Sequence, residues 1–221
     1  MSIRKFVYSY FEEAELDPII LSLNSNRRDT DFSIGVKTVD GSDYQIDIGD
    51  GNIVTQQSNT IPRGYTLSLS FSGNTKIYAK RDNIEELKFT TSTSHDFLLA
   101  DLFGMSNLKV LFLTSNVTGK IANIPNSVDT FVMLQGSSII NGYSIRRDFT
   151  FVPMKNFTLV NSSGTGLTSS EVDNLLEDLS QATWTGTKRV QITGVHEPRT
   201  SASDAFVTTL QNKGVTVITN T

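Results

Sequence analysis

The sequence predicts a β-rich α/β fold: a small antiparallel β-unit, followed by a solenoid of parallel strands with helices in its last two turns. Three observations predict it. Apolar-x-apolar pairs recur along the C-terminal two thirds, the N-terminal third alternates apolar and polar residues around Asp-Gly turns, and helix-start signals occur only late in the chain. Composition agrees, since 38% of the 221 residues are apolar, 19% are charged and Gly is frequent, as in a turn-rich folded chain.

Residues 1–25 read as an N-terminal arm that docks elsewhere. Phe6, Tyr8 and Tyr10 alternate like a strand, and EEAELDPIILSL has room for a short helix broken before Pro18. Glu12, Glu13 and Glu15 stand where a secretion signal needs its apolar centre, so no such signal is expected.

Residues 26–80 read as the small antiparallel β-unit. FSIGVKTV (32–39) and YQIDI (44–48) flank Asp40-Gly41 and predict a hairpin; Asp50-Gly51 marks a second turn. YTLSLSFSG (65–73) and TKIYA (75–79) supply further strands.

Residues 81–221 carry the repeats. NIEELKF, NLKVLFL, SVDTFVML, MKNFTLV, KRVQIT and KGVTVIT superpose the pairs Leu87/Phe89, Leu111/Leu113, Phe131/Met133, Phe157/Leu159, Val190/Ile192 and Val215/Val217. Steps between first members are 24, 20, 26, 33 and 25 residues. Ile84, Leu108 and Val128 add an apolar residue three before the pair, which is L-x-x-L-x-L spacing. These features predict an irregular leucine-rich-repeat-like solenoid, in which each turn buries its apolar side by stacking on its neighbours. An antiparallel sandwich is the alternative; long, late-helical connections weigh against it.

The first helix is announced by LTSSEVDNLLEDLSQ, where Thr168 and Glu171 form a capping box and Val172, Leu175, Leu176 and Leu179 keep helical spacing. The second spans about 201–213, started by Ser201 and Asp204 and ended by Lys213-Gly214.

Function classes are narrowed by what the residues lack. A net charge of −4 leaves no field to gather nucleic acid, no apolar run approaches the length of a membrane-spanning helix, and cysteine is absent. No cofactor is expected. Asp47, Asp50 and Asn52, with Asp40 and Asp43 nearby, suit calcium in type, but the twelfth residue from Asp47 is Ser58 where a calcium loop has Glu; turn chemistry is the reading adopted. His95 and His196 lie in Ser/Thr- or Pro-rich stretches and read as solvated loop histidines, without a nucleophile elbow or zinc motif. Gly164-x-Gly166 lacks the rest of a phosphate-binding loop. The chain is therefore expected to be non-enzymatic, with a carbohydrate-active enzyme as the remote alternative, since paired carboxylates leave no sequence signature.

Residues flanking the buried pairs should point outward. Most flanking positions are polar, as with Glu86, Lys88, Asn156, Arg189 and Gln191. Val110, Phe112, Val132 and Leu134 break that pattern and predict an apolar interface patch, in contact with an identical subunit or another protein. A register slip of one residue would turn Phe112 and Val132 inward.

The segment YQIDIGDGNIV…YTLSLSFSG resembles the I-D-W-G-D-G…Y-x-V-x-I-x-G opening of PKD-like β-modules, with Ile48 in place of the tryptophan. LKVLFLTSNVTGKIANIPNSVDTFVML and the ending LTSSEVDNLLEDLSQ…VQITG…LQNKGVTVITN resemble irregular leucine-rich repeats of Bacteroidetes surface proteins and of bacteriophage virion proteins infecting those bacteria. The resemblance implies a structural or binding role in a virion, as appendage, fibre or capsid-associated component, assembled in the host cytoplasm. Partners would be other virion proteins, identical subunits through the arm and the apolar patch, or a host receptor or glycan. The alternative it implies is an adhesin at the bacterial cell surface.

Overall fold

A computed structural model describes residues 19–23, 31–59, 61–66, 74–134, 137–140, 143 and 153–220. Its strands are β1 (Ile19–Leu23), β2 (Asp31–Thr38), β3 (Tyr44–Asp47), β4 (Ile53–Gln56), β5 (Arg63–Thr66), β6 (Thr75–Tyr78), β7 (Ile84–Leu98) and β8 (Val110–Gly119). They continue with β9 (Thr130–Leu134), β10 (Ser137–Ile140), β11 (Met154–Asn161), β12 (Ser163–Thr165), β13 (Trp184–Gly194) and β14 (Thr216–Thr219). The helices among the described residues are α1 (Ser169–Gln181) and α2 (Asp204–Asn212).

The predicted fold class is corrected. Seven strands form a mixed sheet in the order β2–β7–β8–β9–β11–β13–β14, with β2 antiparallel to β7 and the others parallel, and β1–β6–β3–β4 form a small antiparallel sheet beside it. This is not a helix-bearing leucine-rich-repeat solenoid. Strand lengths depart from a repeat, at 15 residues for β7, 10 for β8 and 5 for β9, and the β7–β8 ladder shifts register twice. The returns differ too: 3-10 turns at Leu99–Leu102 and Ile121–Asn123 in the early connections, helices in the last two. Apolar spacing reports which side of a strand is buried; it carries no record of strand direction or of the return path, and these decide the fold class.

The expected hairpin across Asp40-Gly41 is also corrected. β2 pairs with β5 and β7, while β3 pairs with β4 and β6, so this turn carries the chain from one sheet to the other. The Asp50-Gly51 turn does close a hairpin, β3 on β4. Ile19–Leu23, read as part of the arm, is a strand that pairs with β6 and β7. Residues 1–18, with Phe6, Tyr8 and Tyr10, lie outside the described residues, as do 67–73 of the expected strand 65–73.

Within the ladder, Leu87, Leu111, Phe131, Phe157 and Val190 stand in one register row, and Phe89, Leu113, Met133, Leu159 and Ile192 in the next. All ten are at most 1% exposed. Phe131 and Phe157 touch with ring centroids 5.1 Å apart. In the last strand the expected pair is displaced: Val217 and Thr219, rather than Val215 and Val217, align with Val190 and Ile192. Val215 belongs to the helix ending, where its N–H donates to Leu210 O, 3.0 Å, after Gly214 at φ +78°.

α1 lays Val172, Leu175, Leu176 and Leu179 into the core, and its first turn carries the reciprocal Thr168–Glu171 capping box. At its other end the Trp184 indole N–H donates to Leu179 O (3.1 Å), and Lys213 Nζ donates to Ser180 O (2.7 Å) and Ala182 O (2.9 Å). A cation at a helix C-terminus complements the exposed carbonyls there.

Candidate interaction face

The outward side of the mixed sheet is arranged by the same ladder. Lys37, Glu86, Val110, Thr130, Asn156 and Arg189 share one register row; Gly35, Lys88, Phe112, Val132, Thr158 and Gln191 share the next. Leu134 pairs with Val160 in a third. Val110, Phe112, Val132 and Leu134 thus stand side by side on β8 and β9.

Their exposure is uneven. Val110, Phe112 and Leu134 are half-buried, and Val132 is only 7% exposed. The cause lies in sheet spacing: strands about 4.8 Å apart put Phe112 and Thr158 on either side of Val132 in its own row. The patch is therefore an uneven apolar stripe, with Val132 recessed between its neighbours.

Polar margins flank the stripe. On the β7 side, Lys88 Nζ lies 3.1 Å from Glu86, and Lys37 Nζ lies 2.6 Å from Glu85 and 3.7 Å from Glu86. At the strand starts, charges alternate from one strand to the next, with Lys109 bonded to Glu85 (2.9 Å) and Lys155 to Asp129 (2.7 Å). Hydrogen bonds from Lys37 and Lys109 hold the Glu85 carboxyl below its ordinary pKa, and the bond to Glu85 raises that of Lys37. On the β13 side, Arg189 donates to Gln191, whose amide donates to Thr193 Oγ1 (3.2 Å).

The other sequence-named groups are occupied locally. Asp47 Oδ1 accepts from Gly49 N–H (2.8 Å) and Gly51 N–H (3.0 Å), and Asp50 accepts from Asn52 through backbone and side chain (3.0 and 3.1 Å). The loop is a turn built on its own carboxylates. Asp40 accepts from the Asn83 amide (2.8 Å) and Ser42 N–H (2.9 Å), which hold its carboxyl down to about 2. No group of three or more His, Cys, Asp or Glu poised for a metal occurs among the described residues, and none of their helices is long and apolar enough to cross a membrane.

Both histidine expectations change. His95 lies in β7, paired with Leu23 across the ladder, and His196 is 3% exposed, not solvated. Two buried carboxylates also escaped the sequence reading. Asp178 accepts from the Tyr143 hydroxyl (2.6 Å), and Asp173 accepts from Thr200 N–H (3.0 Å) and its hydroxyl. Burial opposes ionisation of Asp173, but hydrogen bonds from Ser203 and Thr200 with the Arg199 charge keep its pKa lowered. Their signal is faint because these partners lie 27 to 35 residues away in sequence.

Two clefts lie beside β2, β3 and β4. One of about 450 Å³ is lined by residues including Lys37, Asp40, Ser58 and Asn59, and one of about 180 Å³ by Tyr44, Gln56 and Ile61 among others. In the first, Ser58 Oγ accepts from Thr38 N–H (2.9 Å). Compared with known protein families, curated proteins and solved structures, the chain has no match.

Proposed function

We propose that the chain is a non-catalytic structural or binding component of a bacteriophage particle, joined to identical subunits or other virion proteins through its outward sheet face. One observation carries the reading: an apolar stripe around Phe112 lies between charged and amide-bearing margins. An apolar centre with a polar rim is the anatomy of a protein–protein interface. The virion context rests on the resemblance of residues 108–134 and of segments between 167 and 220 to repeat proteins of phages and of bacterial surfaces.

The test is quantitative mass spectrometry of purified particles and of host envelope fractions. The reading expects the chain in particles, and expects Phe112→Ser to lower its incorporation while the purified variant keeps its fold by circular dichroism. Recovery from the envelope of uninfected cells would instead establish the adhesin alternative. Normal incorporation of the Phe112→Ser variant would remove the face from the interface.

A further inference from the structure

His196 follows β13 in the stretch 195–200 that leads to α2, between Val195 and Glu197-Pro198. Its buried ring accepts at Nδ1 from Leu167 N–H, 2.9 Å away. An accepting Nδ1 places the ring proton on Nε2, and Nε2 has no hydrogen-bond partner. The backbone around it is equally confined. Asn220 Nδ2 donates to both Gly194 O (2.9 Å) and His196 O, and Glu197 N–H donates to Leu167 O (2.9 Å). A Cβ at Gly166 would stand 2.6 Å from Val195 O and 2.7 Å from His196 N, so the two stretches meet backbone to backbone. One residue ties the approach to α1, the end of β13 and the end of β14.

We propose that His196 is a proton-operated latch: its neutral ring clamps the approach to α1 against the end of the mixed sheet, and protonation releases it. An imidazolium carries N–H on both nitrogens. Its Nδ1–H would face Leu167 N–H, donor against donor, in a site closed to water. The second nitrogen already lacks an acceptor. Accepting the proton therefore requires the 163–169 and 195–200 stretches to part.

Among the described residues no neighbouring charge offsets this. α1 brings Glu171 and Asp173, and His196's own stretch brings Glu197 and Arg199, with Asp204 at the start of α2; the ends of β11 and β14 that meet it bring no ionisable side chain. Glu171 accepts from Thr168 N–H and Tyr143 N–H, Glu197 from Ser169 N–H, Asp173 from Thr200, and Arg199 pairs with Asp204. None of these carboxylates bonds to the ring. Burial, unopposed, lowers the His196 pKa from 6.5 to about 4.

The test uses the full chain, whose two histidines keep ring-nitrogen spectra simple. Nitrogen NMR on ¹⁵N-labelled protein, with His95→Gln for assignment, should show His196 as the Nε2–H tautomer at pH 7, titrating near pH 4. Amide exchange at Leu167, corrected for its intrinsic pH dependence, should lose at least about tenfold in protection between pH 6.5 and 4. In His196→Asn, where Oδ1 occupies the accepting position without titrating, the same protection should change less than about twofold. An Nδ1–H tautomer, titration at the ordinary pKa, or equal loss in both proteins would overturn the latch. Should His196→Asn not fold, the tautomer and titration of the unaltered ring still decide it.

Discussion

At the scale of single residues, the strongest constraints sit where backbone meets backbone. Gly194 adopts φ +100°, and a Cβ there would lie 1.9 Å from Asn161 O, the atom that accepts from Val195 N–H. Gly41, at φ +76°, has nothing within 4 Å. Both substitutions to Ala incur the backbone penalty, about 1 kcal/mol, and only Gly194→Ala adds a collision with the neighbouring strand. Urea unfolding followed by Trp184 fluorescence should therefore rank Gly194→Ala well below Gly41→Ala; equal midpoints would contradict the close approach. His196 contributes at the same scale. Its folded pKa, about 4, lies below the unfolded 6.5, so the unfolded chain takes up the proton first. Its contribution is whole above pH 6.5, declines as pH falls toward 4 and is gone below, a span of about 3 kcal/mol. Denaturant titrations at intervals between pH 7 and 4 should show that slope in the native sequence and a shallower one in His196→Asn.

At the scale of elements, the parallel ladder separates an inner from an outer face with a one-residue alternation. Phe131 and Phe112 are both aromatic strand residues on adjacent strands, yet one is fully buried against Phe157 and the other half-exposed on the outward side. Phe131→Ala should cost about 3–5 kcal/mol as a core cavity, whereas Phe112→Ala should cost about 1 kcal/mol, in proportion to its partial burial. Comparable losses from the two would mean that the register is slipped. α1 shows the same division of labour: its inward stripe is apolar, and its ends are closed by Glu171, Glu197, Trp184 and Lys213, two of which, Glu197 and Lys213, reach in from distant segments.

At the scale of the whole molecule, one apolar cluster runs from Ile19 and Phe32 through the ladder to Leu210 and Val215. β2, from the stretch read as a separate β-unit, pairs with β7 over Ser33–Thr38, and β1 joins both sheets. Continuous packing of this kind favours a single unfolding transition. Far-ultraviolet circular dichroism and Trp184 fluorescence, the latter reporting the C-terminal end alone, should therefore give coincident denaturation curves. A fluorescence transition separate from the dichroism would show that the C-terminal part unfolds independently.

The apolar alternation of Leu87/Phe89 through Val190/Ile192, the α1 capping box and the Asp50-Gly51 turn were legible in the sequence because each is a local pattern, set within a few residues by backbone geometry. The displaced last strand, the escape of the chain at Asp40-Gly41 from one sheet to the other, and the burial of His196 were not. Each depends on a partner 25 or more residues away: Val190 for Val217, Ile84 and Leu87 for the strand before Asp40, Leu167 for His196. Thus the sequence by itself determined which side of the ladder strands β7, β8, β9, β11 and β13 and of α1 is buried, and where α1 begins. Only the tertiary structure decided strand direction, the mixed order of the large sheet and which polar groups meet. Those choices follow from hydrogen bonds and packing between distant segments, and a backbone donor or acceptor carries no mark in the sequence of the partner it will find.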